Sequence, residues 1–260
     1  MSADLKSTFD RDPELYERAR PGYPAALFDE LDDLLPGSQL LEIGCGTGQA
    51  TRVLAERGYA VTCVELGAAM AAAARGRLAA FPAVEVVVAD FDSWTGEPGA
   101  YDGVLAFTSF HWLDRATRFP RIARLLRQRG VLAVVGTHHV LPEDGDDFFV
   151  HVQQDYAAVV PEDAASHGSG PPRPATVEGL VFDERLFEPV ARRRYLWDVE
   201  YSADEYIAVL STYSGHIALP DEQRKRLFER IRRRIEPRGT VRKSYLTTLD
   251  AATPRPRRRP

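Results

Sequence analysis

Strand-like and helix-like segments alternate between residues 39 and 137, and this βα rhythm restricts the fold more than any other feature of the 260 residues. "QLLEIG", "AVTCVEL", "VEVVVAD", "YDGVLAFTSF" and "VLAVVGT" are short apolar runs, as strands buried on both faces are. Between them, "QATRVLAERG", "GAAMAAAARGRLAAF" and "ATRFPRIARLLRQRG" carry apolar positions at helical spacing, and "TGEPG" marks a loop before the fourth strand. Such crossovers are right-handed, so the pattern predicts a parallel sheet with helices on both faces. A helix over "AALFDELDDLL", stopped by Pro36 and Gly37, comes before the first strand.

After His139 the texture changes. "DDFFVHVQQDYAAVV" predicts a helix, and the Pro- and Gly-rich stretch 161–176 predicts a loop able to gate entry to a site. "ARRRYLWDVEYS" and "TVRKSYLTTLDAA" read as two more strands at one sheet edge, with helices over "ADEYIAVLSTYS" and "PDEQRKRLFERIRRRI" between them. The expected organisation is one α/β domain over residues 1–253, with a segment at 1–24 preceding the sheet, helical insertions at 140–180 and 202–236 shaping the pocket, and a basic disordered tail at 254–260.

Composition narrows the partners. With 44% hydrophobic and 27% charged residues the chain is an ordinary globular one, and no apolar run reaches the length of a membrane span. The charged N-terminus lacks the apolar centre of a secretory signal, which predicts a cytoplasmic protein. The formal charge is −5, and setting aside the +4 of the four tail arginines leaves −9 on the rest. An acidic body disfavours nucleic acid as a partner, leaving a small molecule. Cys45 and Cys63 lie in a glycine turn and an apolar strand, where buried thiols are expected rather than a disulfide. No metal-binding cluster stands out, and monomer and dimer are both open.

In an open α/β sheet the ligand crevice lies at the carboxyl ends of the strands. Three features fall there: the turn with Gly44, Gly46 and Gly48 after the first strand, Glu65 at the end of the second, and Asp90 at the end of the third. An acid about twenty residues after a glycine turn is placed to accept hydrogen bonds from ribose hydroxyls. A dinucleotide site, however, calls for Gly or Ala where Gln49 stands, and a pyrophosphate is repelled by Glu42 and Glu65. An acidic rim suits a cationic ligand.

"LLEIGCGTG", "CVEL", "VVVADF" and "YDGVLAFTSFHW", in this order, resemble the cofactor-binding motifs of class I S-adenosylmethionine-dependent methyltransferases over about residues 40–137. "YERARPGYP" and "FHWLD" are similar to the small-molecule branch that includes the trans-aconitate methyltransferases (methyltransferase type 11). The resemblance implies a Rossmann-like three-layer sandwich with a seven-stranded, mostly parallel sheet in the order 3-2-1-4-5-7-6 and strand seven antiparallel. It implies S-adenosyl-L-methionine as cofactor, with Gly44, Gly46 and Gly48 close to the methionine part, Glu42 and Cys45 also in the cofactor site, Glu65 on the ribose hydroxyls, Asp90 on the adenine amino group, and Phe91, Leu66 and Phe107 against the ligand. In the segment at 1–24 it implies a helical lid in which Tyr16 covers the cofactor and Arg20, one helical turn on, pairs with the methionine carboxylate.

The acceptor is less legible. Methyl transfer from a sulfonium is an in-line displacement in which positioning supplies much of the acceleration, so a base is dispensable for an acceptor that is already ionised. For a hydroxyl, His111 in "SFHWLD" is the candidate base or an orienting residue for Trp112, with His138, His139 and His216 as further candidates. Phe110, Trp112 and Tyr213 are expected to line an apolar substrate pocket with His138 and His216. The resulting expectation is methyl transfer to a carboxylate or hydroxyl oxygen of a small molecule. The alternatives are a nicotinamide-dependent oxidoreductase and a non-methylating S-adenosylmethionine-binding protein.

Overall fold

Seven strands form one sheet in the order β3-β2-β1-β4-β5-β7-β6 in the computed structural model, which describes residues 10, 12–160 and 170–256. β1 (Gln39–Ile43) lies at the centre, parallel to β2 (Ala60–Glu65) and β4 (Tyr101–Phe107). β3 (Val84–Val88) extends the parallel side beyond β2, and β5 (Leu126–Val140) pairs parallel with β4. β7 (Thr240–Pro254) inserts antiparallel between β5 and the edge strand β6 (Phe187–Ser202).

Helices α1 (Pro13–Ala19) and α2 (Ala25–Leu34) precede the sheet. Asp12 caps α1 by accepting the Leu15 N–H, and Pro13 takes the first helical position, where a missing N–H costs nothing. α3 (Gln49–Glu56), α4 (Ala68–Arg77) and α5 (Arg118–Leu125) are the crossover helices. One sheet face buries Leu27, Phe28 and Leu31 of α2 and Leu54 of α3 against Leu105 and Val135, and the other packs Phe119, Ile122 and Leu125 of α5 against Val104 and Leu132.

Several boundaries differ from the periodicity. α5 stops at Leu125 instead of continuing to Gly130, because Leu126 is already paired with Tyr101 as strand. β5 continues past Thr137 to Val140, extended by β7, so His138 and His139 are strand residues. β4 ends at Phe107, and residues Phe110–Trp112 form a 3-10 turn. β3 closes at Val88, two residues before Asp90.

The insertion after β5 holds two short helices, α6 (Phe148–His151) and α7 (Gln153–Val159), instead of one. Of the expected 161–176 loop, residues 161–169 lie outside the described residues, and Pro174–Thr176 form a 3-10 turn. Between β6 and β7 come α8 (Ala203–Ser211), with a Ser202–Glu205 capping box, then α9 (Ser214–Ile217) and α10 (Asp221–Ile235). These helices bury Phe148, Phe149, Tyr206 and Leu227 in a third cluster beside the sheet.

The tail differs in part from its expected disorder. Pro254 belongs to β7, and Arg255 donates its backbone N–H to Leu186 O at 2.8 Å and its Nε to Glu184 O at 2.7 Å. Residues 257–260 lie outside the described ones. No helix among the described residues is long and apolar enough to cross a membrane.

Candidate active site

A cavity of about 470 Å³ opens where the carboxyl ends of β1, β2, β4 and β5 meet α1 and the helical insertions. Its outer end is the glycine turn. Gly44, Gly46 and Gly48 have φ of +70°, +58° and +87°, a region that side chains rarely enter, and a Cβ on Gly44 would stand 2.7 Å from the Ser109 Cβ. The turn is pinned from β2: Glu65 accepts the Gly46 N–H at 2.9 Å with one oxygen and the Gly67 N–H at 2.8 Å with the other. Burial raises the Glu65 pKa despite these bonds. Leu66, 44% exposed, and Asp90, at the surface, line the same end, where the buried Phe91 and Phe107 reach the wall. Asp10, which sequence patterning did not single out, also lines it and accepts the Met70 N–H at 2.8 Å.

α1 lies over the turn, with the Tyr16 ring 4.0 Å from where a Gly46 Cβ would be. Gln49 holds that segment: its Nε2 donates to Glu17 O at 3.3 Å and Arg20 O at 3.4 Å, while Thr47 bonds the Glu17 carboxylate. The residue that departs from a dinucleotide turn is therefore a tether for the N-terminal segment. Arg20 donates Nε to Thr212 Oγ1 at 2.8 Å and Nη2 to Thr212 O at 3.0 Å, with its guanidinium 4.3 Å from the Tyr213 ring centre.

The inner end is polar and aromatic. His111 and Trp112 line it with ring centres 4.8 Å apart, and burial, then His138, lower the His111 pKa. Thr108, with φ of +54° although β-branched, marks stored backbone strain on the wall. Thr137, His139, Tyr213 and Tyr245 complete this end. Among the described residues, the Thr137 Oγ1 and the His139 Nε2 are buried without a hydrogen-bond partner. Burial, then Lys243, pushes the His139 pKa down to about 2, so its ring is neutral.

Six expected site residues lie off the cavity wall. Glu42 is 1% exposed, accepts the Thr51 hydroxyl at 2.7 Å, and is pushed by burial up to about 7. Cys45 is buried, and Gly48 serves as the N-cap of α3. Phe110 packs on Phe119, as core aromatics do. Side chains alternate across a strand, so His139 turns to the cavity and His138 to the other face, near Arg194 and Asp250. His216 accepts or donates a 2.9 Å bond with the Tyr156 hydroxyl among the insertion helices. Thr108, Thr137 and Tyr245 gave no motif signal; the i, i+2 alternation of a longer β5 is what would have revealed Thr137 together with His139.

Residues 41–134 match a family described as a methyltransferase domain. Over 204 residues, 74% of this chain and 73% of the other, the protein is 31% identical to a trans-aconitate 2-methyltransferase of Paracidovorax citrulli. The chain belongs to the class I S-adenosylmethionine-dependent methyltransferases. An uncharacterised methyltransferase of Mycobacterium tuberculosis is 34% identical over 134 residues, 51% of this chain and 53% of that one, so the chain spans about half the length of this relative. A solved type II methyltransferase from Anaeromyxobacter dehalogenans shares the fold, with a TM-score of 0.63 and 23% identity over 90% of this chain and 97% of that one. The family's cofactor, S-adenosylmethionine, fits the outer end: glycines that admit a bulky ligand, carboxylates that suit a cationic one, and an exposed Leu66 at the rim.

Proposed function

We propose that the protein transfers a methyl group from S-adenosylmethionine to an oxygen, of a carboxylate or a hydroxyl, on a small-molecule acceptor. One observation carries this reading: one cavity joins the glycine cradle and Glu65 to a polar end where Thr137 and His139 hold atoms unpartnered among the described residues. In this reading Glu65 accepts from the ribose hydroxyls and Asp90 from the adenine amino group. Leu66 and Phe91 cover the ring, Arg20 faces the methionine carboxylate and Tyr16 closes over the sulfonium. The acceptor then occupies the space between His111, Thr137, His139 and Tyr213. A close positioning of acceptor oxygen and methyl carbon supplies most of the acceleration. The relative named as a trans-aconitate 2-methyltransferase is in keeping with a small-molecule acceptor.

The test is incubation with S-adenosylmethionine and a panel of small acids, phenols and alcohols, followed by mass spectrometry. The expected result is one added methyl group on an acceptor together with demethylated cofactor. Calorimetric binding of a nicotinamide dinucleotide with no binding of S-adenosylmethionine would overturn it.

A further inference from the structure

Lys243 is fully buried on β7, and its ammonium donates to the Tyr213 hydroxyl oxygen at 2.8 Å. It stands within about 5 Å of three tyrosine ring centres: 5.0 Å from Tyr213, 5.1 Å from Tyr245 and 5.4 Å from Tyr206. Lys243 is not on the cavity wall, whereas Tyr213 and Tyr245 are. A second cation, Arg20, covers the Tyr213 ring, and the Tyr245 hydroxyl is within hydrogen-bonding reach of Tyr213. Also facing Tyr213 are the phenols of Tyr16, Tyr156, Tyr201 and Tyr206, and the His216 ring at 5.9 Å.

A buried ammonium is costly unless an anion compensates it. The described partner of Lys243 is a phenol, whose ionised form is that anion. Burial by itself would raise the Tyr213 pKa, but Lys243 and Arg20 outweigh it and hold the phenol below its usual value, while burial, opposed by Tyr213, lowers the Lys243 pKa as well. The adjoining wall offers uncharged hydrogen-bonding groups. Arg20 is the one Arg or Lys on the wall among the described residues, and it is bonded to Thr212 and, in the function proposed above, taken by the methionine carboxylate, while Thr137 Oγ1 and neutral His139 Nε2 offer hydrogen bonds without charge. A carboxylate acceptor at this end would lack a counter-charge. A hydroxyl acceptor would find two uncharged partners and a base.

Resting on the function proposed above, we propose that the acceptor is a hydroxyl compound and that Tyr213, as a phenolate held by Lys243, takes the hydroxyl proton, with Thr137 and His139 binding a neighbouring polar group of the acceptor. In the step, the acceptor oxygen forms a bond to the methyl carbon, the carbon–sulfur bond breaks with its electron pair left on sulfur, and the acceptor proton passes to the Tyr213 oxygen. Lys243 does not touch the acceptor and acts as a positioning residue through Tyr213.

Two measurements on the full chain test this. Ultraviolet difference titration of the ligand-free protein should show one of the ten tyrosines ionising well before the rest, and Tyr213→Phe should remove that early step. For transfer to hydroxyl acceptors, kcat should rise with pH through the same ionisation. Tyr213→Phe should lower kcat of the folded protein roughly a hundredfold, and lower the melting temperature as well because it strips the Lys243 ammonium of its partner, and Lys243→Met should move the rise to higher pH. An early-ionising tyrosine that persists in Tyr213→Phe overturns the proposal, as does a wild type that turns over carboxylates alone or a Tyr213→Phe variant with unaltered kcat. Wild-type protein that transfers no methyl group to any acceptor overturns the functional reading itself.

Discussion

The backbone N–H of Gly46 is bonded to the Glu65 carboxylate at 2.9 Å, so the acid at the end of β2 holds the glycine turn at the end of β1 in place. In the proposed function, ligand recognition and loop geometry thus depend on the same side chain. Glu65→Ala is expected to weaken S-adenosylmethionine binding by about 1.5–3 kcal/mol, the range for hydrogen bonds to a charged group. Glu65→Gln, which keeps one acceptor oxygen, should lose less. Calorimetry on both variants checks this, and equal affinity for all three proteins would remove Glu65 from the ribose site.

Glu42 supplies a pH-dependent prediction. Its pKa is raised from 4.5 to about 7 by burial, so the folded state retains a proton that the unfolded chain releases. Below about pH 4.5 both states are protonated and the carboxyl has no effect on stability. As pH rises toward about 7 a destabilising contribution grows, reaching about 3 kcal/mol above it at 1.36 kcal/mol per pKa unit. Glu42→Gln keeps an acceptor for Thr51 and has no such penalty. Denaturant unfolding across this range should show the variant gaining on wild type as pH rises; a constant difference would contradict the assignment.

The parallel half of the fold was open to inspection because strands buried on both faces leave unbroken apolar runs, and the glycines and Glu65 mark its strand ends. The last two strands are legible too, although the β5 terminus is not: Thr137 to Val140 are polar or mixed, and only pairing with β7 makes them strand. That boundary decided which histidine meets the cavity. Lys243 was invisible for another reason. A lysine in a strand looks solvent-exposed in sequence, and only the packing of α8 and α9 against β7 encloses it with Tyr206 and Tyr213.

The N-terminal segment should separate from the sheet. Its contacts with the glycine turn run through Gln49, Thr47 and Tyr16, whereas the sheet-covering core begins with α2, where Leu27, Phe28 and Leu31 are buried. Removing residues 1–22 is expected to leave a cooperative unfolding transition and native-like circular dichroism while S-adenosylmethionine affinity falls by tenfold or more. Loss of the folded state would make the segment structural.

Thr108 should trade stability for site geometry. Its φ of +54° is costly for a β-branched residue, and glycine accepts it freely. Thr108→Gly is expected to raise unfolding free energy by about 1 kcal/mol. It should also increase KM, because the wall between Phe107 and Ser109 loses its fixed path. A destabilised variant would show that the 3.5 Å contact with the Tyr23 hydroxyl outweighs the strain.

His111 and Tyr213 are rival bases, and their surroundings predict different pH behaviour. Burial, followed by His138, lowers the His111 pKa, which makes the ring neutral at physiological pH and a weaker base than a free imidazole. Its ring lies beside Trp112, a placement that suits orientation of the loop after β4. His111→Ala is therefore expected to raise KM severalfold, with the pH profile of kcat unchanged in shape and midpoint. Tyr213→Phe should do the reverse, lowering kcat and abolishing its rise with pH. The decisive measurement is kcat against pH for wild type and both variants on one hydroxyl acceptor. If His111→Ala flattens the profile and Tyr213→Phe leaves it intact, the proton goes to His111 and the role assigned to the Lys243–Tyr213 pair is wrong.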